Sequence, residues 1–136
     1  MTEIRLYLPG TADDLDALLR DGRLEVAGRT AYGVSPGLVA ATPRADEEER
    51  EYAAFLEAAD AAGAADGGAG RVVVLSIDLP EPEISWPQEG HFVTLSGTIA
   101  RRDLVAIHLG EEPGPDADLL WYDATEAAAV VELLRG

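Results

Sequence analysis

Arg71-Val-Val-Val-Leu-Ser-Ile-Asp78 decides the fold. Its apolar, mostly β-branched side chains fall on both faces at its start, where a half-buried strand would alternate with polar residues. It is therefore read as the central strand of a sheet. Upstream, Ile4, Leu6 and Leu8 alternate with Arg5 and Tyr7, the period of a half-buried strand that Pro9-Gly10 ends. Thr11 then stands three residues before Asp14, the spacing of a capping box. Leu15, Leu18 and Leu19 follow at helical spacing as far as Gly22. These signals predict a helix over 12–21. Arg29–Ser35 reads as a short strand before Pro36, although Gly33 interrupts its pattern.

Between that strand and the central one, Asp46-Glu-Glu-Glu-Arg-Glu-Tyr52 opens a long helix. Its acidic first turn complements the helix dipole, and Tyr52, Phe55, Leu56 and Ala59 mark the expected buried stripe. Residues 61–70, with five alanines and four glycines, read as a flexible link. Downstream of the central strand, Pro80, Pro82 and Pro87 stiffen a loop around Trp86. Phe92–Ile99 and Leu104–Leu109 read as a hairpin turning at Arg101-Arg102, which sets His108 opposite Leu95 and roughly 13 Å from His91 at about 3.3 Å per residue. Gly110–Asp118 is an acidic loop, Leu119-Leu-Trp-Tyr122 a last strand, and Asp123 or Thr125 caps a final helix carrying Val130, Val131, Leu133 and Leu134. Two successive strand–helix–strand units imply parallel crossovers, and the hairpin adds antiparallel strands. The expected fold is α+β: a two-layer single domain over 1–136, with a mixed sheet, mostly parallel and then antiparallel, and about three helices packed on one face.

Composition narrows the chemistry. The chain carries 26 acidic residues against 10 basic ones, all of them Arg, for a net charge of −16, and it has no Cys. This excludes a Gly-Lys phosphate loop, a Lys Schiff base, a Cys nucleophile, Cys-ligated metal and any disulfide framework. The charge also opposes binding to nucleic acid or an anionic membrane surface. No apolar run reaches the length of a bilayer span, and Met1-Thr-Glu-Ile-Arg5 lacks the basic start and apolar core of a signal peptide. A cytoplasmic location is expected. Arg in place of Lys with abundant Ala, Gly, Asp and Glu suits a GC-rich genome or a high-salt cytoplasm.

Arg5-Leu-Tyr-Leu-Pro9, Ala31-Tyr-Gly-Val-Ser-Pro36, Asp46-Glu-Glu-Glu-Arg-Glu-Tyr-Ala53, Arg71-Val-Val-Val74 and Leu119-Leu-Trp-Tyr-Asp-Ala-Thr-Glu126 occur in that order. Together they resemble a family of small acidic actinobacterial proteins defined only as a domain of unknown function. The resemblance spans nearly the whole chain and implies one domain and a GC-rich bacterial source. It implies no activity.

No catalytic constellation stands out. Glu47 with Glu51 and Glu48 with Glu51 are carboxylate pairs at helical spacing, but no histidines accompany them, so no metal and no cofactor is expected. Ser76, His108 and Asp78 or Asp123 make a triad on paper, without the Gly-x-Ser-x-Gly elbow that would expose the serine. A better-motivated surface comes from alternation. If Ile4, Leu6 and Leu8 face the helices, the opposite face carries Arg5, Tyr7 and either Tyr122 or Trp121, joined by Ser76, Asp78 or His108. The leading expectation is a non-enzymatic interaction or regulatory module that uses this face or the acidic helix on a protein partner or a second copy. The alternative is a ligand-binding domain or small enzyme with a pocket between the Trp86 loop and His108. The candidate binding residues are Arg5, Tyr7, Trp86, His108 and Tyr122.

Overall fold

The computed structural model describes residues 3–80, 84, 86 and 92–136. His91, Pro82 and Pro87, which entered the reading of the sequence, lie outside the described residues. The strands are β1 (Glu3–Pro9), β2 (Arg23–Glu25), β3 (Thr30–Gly33), β4 (Val73–Pro80), β5 (Phe92–Thr94), β6 (Thr98–Ala100), β7 (Leu104–Gly110) and β8 (Leu119–Asp123). The helices are α1 (Ala12–Asp21), α2 (Pro36–Ala41), α3 (Glu47–Ala64) and α4 (Ala127–Arg135). Six strands form one sheet in the order β5-β3-β1-β4-β7-β8, while β2 and β6 make a separate ribbon.

Local chemistry accounts for the helices. Thr11 and Asp14 close the capping box on α1, and Gly22 ends the helix by donating its N–H to the Leu18 carbonyl. Buried Asp14 also receives both terminal nitrogens of Arg29, at 2.9 and 2.8 Å, and Arg29 in turn donates to the Pro9 carbonyl. One ion pair thus joins the end of β1, the start of α1 and the approach to β3. Asp46 caps α3 through the Glu49 N–H, as its acidic opening suggests. The helix continues to Ala64 and a 3-10 turn covers Ala65–Gly68, so much of the segment read as a link has helical backbone. Pro36–Pro43 contains α2, which sequence reading left unassigned; Ser35 caps it with Pro36 in its first turn.

β1 and β4 pair along seven residues, Leu6 opposite Ile77 and Leu8 opposite Leu75. These four side chains are buried on one face, under α1 and α4, in the larger core with Leu15, Ile107 and Val130. The other face carries a smaller core in which Tyr7, Val72 and Val74 pack against Ala54 and Ala58 of α3. Helices therefore cover both faces, and the expectation of helices on one face is corrected. The reason lies in β4, whose two apolar faces each need a cover.

The expected parallel crossovers are also corrected, since every strand pairing among the described residues is antiparallel. After α1 the chain does not enter the main sheet. It forms β2, reverses through a turn closed by Arg29 N–H to Val26 O, with Gly28 at φ 82°, and only then delivers β3 antiparallel to β1. The predicted 92–109 hairpin is absent for a related reason. Residues 92–100 follow the β2-turn-β3 unit, with β5 on β3 and β6 on β2. A 3-10 turn, Arg101–Asp103, then passes the chain to β7, which pairs with β4 and β8. His108 consequently stands opposite Val74 and Trp121, not Leu95. A register slip between Ser76 and Ile77, accommodated at Val105, turns Leu104 into the same core as Ile107.

The buried stripe of α3 is Ala54, Ala58 and Gly63, whereas Tyr52 is 61% exposed and Leu56 42%. A helix lying close on a sheet needs small residues at the contact, and Tyr7 fills the space beneath. Leu6→Ala is expected to cost about 2–5 kcal/mol and Tyr7→Ala about 3–5 kcal/mol, each by opening a cavity. Tyr52→Ala should cost less than about 1 kcal/mol in the same urea titrations, since its ring is largely solvated.

Candidate functional site

The two faces of the sheet are covered unequally. On one, α1 and α4 pack against each other; on the other, α3 packs mainly on β3, β1 and β4. The β7–β8 half of that second face is left beside α3 as an open cleft of about 640 Å³. Strand alternation decides its floor. His108 and Tyr7 project here because their neighbours Ile107, Leu6 and Leu8 are taken by the larger core. Phe55, Tyr52 and Leu56 of α3 form one wall, Leu119 lies at the start of β8, and Pro115 and Ala117 close an end.

Aromatic contacts organise this surface. Phe55 meets Tyr7 edge-on at 5.6 Å and the His108 ring at 4.7 Å, and Tyr52 stacks on Phe55 at 6.3 Å. Carboxylates of Glu48, Glu51, Asp60 and Asp118 line the rim, and no Arg lines the cleft. Among the described residues, no three His, Asp or Glu side chains gather as a metal site would require.

Beneath the aromatic layer, Ser76 Oγ and His108 Nε2 share a hydrogen bond of 2.8 Å. Burial, with Arg5 adding a smaller like-charge effect, lowers the His108 pKa from 6.5 to about 4, so the imidazole is neutral at physiological pH. Arg5 grips Asp78 through two contacts, 2.5 Å from Nε and 3.1 Å from its terminal nitrogen. That hydrogen bonding raises the Arg5 pKa further. Burial, reinforced by Glu51, raises the Tyr7 pKa and keeps the phenol protonated. A Ser/His/Asp triad is not assembled. Ser76 is 2% exposed, Asp78 is held by Arg5, and among the described residues no carboxylate bonds the other ring nitrogen of His108.

Of the sequence-predicted residues, Arg5, Tyr7 and His108 share this face, with Ser76 and Asp78 beside them. Tyr122 does not join them. It pairs with Ile107 and packs on the larger core, and Trp121, opposite His108, takes the cleft side of β8 with 62% exposure. Trp86 is also on the far side, half-buried against the larger core. A Cβ on Gly33 would lie 2.7 Å from Leu6 and 3.0 Å from the Trp86 ring, so glycine is what admits the indole there. The expected pocket between the Trp86 loop and His108 is thus two separate places. Sequence reasoning missed Tyr52 and Leu56, assigned to the core, and did not join the acidic helix to the sheet face, although the two are walls of one cleft.

A protein-family model described as a family of unknown function (DUF6912) matches residues 4–117. No curated protein and no solved structure matches the chain. No helix among the described residues is long and apolar enough to cross a membrane.

The depressed His108 pKa has a consequence for stability. Between about pH 6.5 and about 4 the unfolded chain binds a proton at this ring that the folded one does not. Its contribution is therefore fully present above the unfolded value and is lost as pH falls through that window. With the ring's partial exposure discounted, the loss should be about 1–2 kcal/mol. In urea titrations, wild type should lose this much more stability than His108→Gln between pH 7 and pH 4.5.

Proposed function

Because the chain belongs to a family of unknown function, which lends it no activity, we propose a role from its own residues: a non-enzymatic binding module. Its ligand carries a positive charge on a partly apolar body. The carrying observation is the cleft beside α3, with an aromatic floor and four carboxylates but no Arg among the described residues that line it, Arg5 standing just outside beside Glu51. Aromatic faces attract cations through their quadrupole, and a rim of one charge sign concentrates the opposite sign. The cleft's volume, about 640 Å³, falls in the range of small-ligand sites. Neutral His108, held by Ser76, supplies one oriented polar group without competing for the charge. A catalytic reading has less support, since the buried Ser76 hydroxyl has no open side from which a substrate would be attacked.

The probe is phenethylammonium, compared with neutral phenethyl alcohol. In NMR titrations the ammonium compound should shift the ring resonances of Tyr52, Phe55 and His108, and the alcohol should bind at least about fivefold more weakly. Glu48→Gln with Glu51→Gln should erase that preference. Equal binding of the two probes, or shifts confined to other parts of the molecule, would overturn the reading.

A further inference from the structure

The cleft is the deeper end of a larger gap. Neighbouring strands lie about 4.8 Å apart, so β7 and β8 together present a strip about 10 Å wide. A helix with its side chains is about 10–12 Å across. The opposite face of the same sheet carries two mutually packed helices, whereas on this face α3 packs mainly over β3, β1 and β4 and reaches β7 through Phe55 on His108. Beyond Phe55 at one edge and Pro115 at one end, the strip left beside α3 is about one helix wide. Its borders are apolar where a solvated surface would be polar: Tyr52 and Leu56, one turn apart on α3, are 61% and 42% exposed, and Trp121 across the gap is 62% exposed. Large apolar side chains left uncovered on both sides of a groove mark a place for a partner.

Charge selects among occupants. Glu48, Glu51, Asp60 and Asp118 border the gap, and the whole chain carries −16. A second copy would bring acids against acids. A cationic segment would meet complementary charge along both edges.

We infer that the groove between α3 and β8 docks an amphipathic helix of a partner protein, with an apolar stripe flanked by Lys or Arg. The inference rests on the cationic-ligand reading of the same cleft and names the ligand's larger body. The partner helix lies alongside α3 as the second helix of this face. Its apolar stripe covers Tyr52, Leu56 and Trp121, and a basic side chain enters the cleft above His108.

The test uses the full chain carrying Trp86→Phe, so that Trp121 is the only tryptophan, in salt of about 0.15 M, roughly physiological. The probe is a synthetic peptide of about 18 residues, the length of α3, made of Leu at helical spacing and Lys elsewhere. Trp121 emission should shift to the blue and saturate at one peptide per chain. Leu56→Glu, a change at an exposed position, should weaken binding at least about tenfold. Glu48→Gln with Glu51→Gln should weaken it more than Glu25→Gln with Glu132→Gln, which removes the same charge elsewhere. Equal losses from the two charge pairs would overturn the inference as unspecific attraction. Undiminished binding of a peptide interrupted by proline would overturn it in favour of strand addition at β8. A chain that sediments as a dimer dissociated by Trp121→Glu would assign the groove to a second copy. If phenethylammonium binds while the helical peptide does not, the partner helix is rejected and the cleft reading stands; if neither binds, both fall.

Discussion

The seven-residue antiparallel register between β1 and β4 is the constraint on which core and site both depend. It sets Leu6 against Ile77 on one face and, on the other, Tyr7 against Ser76 and Arg5 against Asp78. Since side chains alternate, a slip of one residue would send Arg5 and Tyr7 into the larger core and turn Leu6 and Leu8 to the α3 side. The burial that stabilises one face thus orients the polar and aromatic groups of the other. The Arg5–Asp78 pair, with side chains 37% and 26% exposed, adds little by charge alone in contact with water. Its two-pronged geometry instead favours this register over its neighbours.

Different devices secure the two helical layers. α1 is tied by a buried carboxylate: Asp14 accepts from the Thr11 N–H and from Arg29, and Arg29 also holds the end of β1. Removing one partner would strand a charge in a nearly closed site, a far larger penalty than loss of an exposed pair. α3 has close approach instead. Ala54 and Ala58 let it settle on the sheet, and Tyr7 and Val74 fill the space below. That economy of contact leaves Phe55 at the edge of this core and Tyr52 at its open side.

Much of this was legible in the amino-acid order where the signals are local. Thr11, Asp14 and Gly22 bound α1, Asp46 starts α3, and the run from Val72 to Ile77 announces an inner strand, though not that helices cover both its faces. The alternation of β1 also put Arg5 and Tyr7 on one face, whereas His108 reaches that face through the pairing of β7 with β4. What failed depends on non-local partners. Nothing near residues 92–109 reveals that the β2–β3 unit captures residues 92–100 before β7 can pair with them. Nor could spacing choose the inner stripe of α3, because a helix near a sheet buries its small residues while size-based reading selects Tyr52 and Leu56. Tyr122 and Trp121 were interchangeable until the register with β7 decided which faced the cleft.

The sheet order has a further consequence in local opening. β4 is paired on both edges and covered on both faces, so its amides are expected to exchange with solvent only on near-global unfolding. Among the described residues β8 is paired on one edge, to β7, and its cleft side carries the exposed Trp121. The surface that runs from Ser76 through His108 to Trp121 therefore passes from an inner strand to an edge strand. A ligand seated across it would meet one wall already ordered and order the other. Its entropic cost would fall on β8, and slowed exchange there would record occupancy even where no side chain changes position.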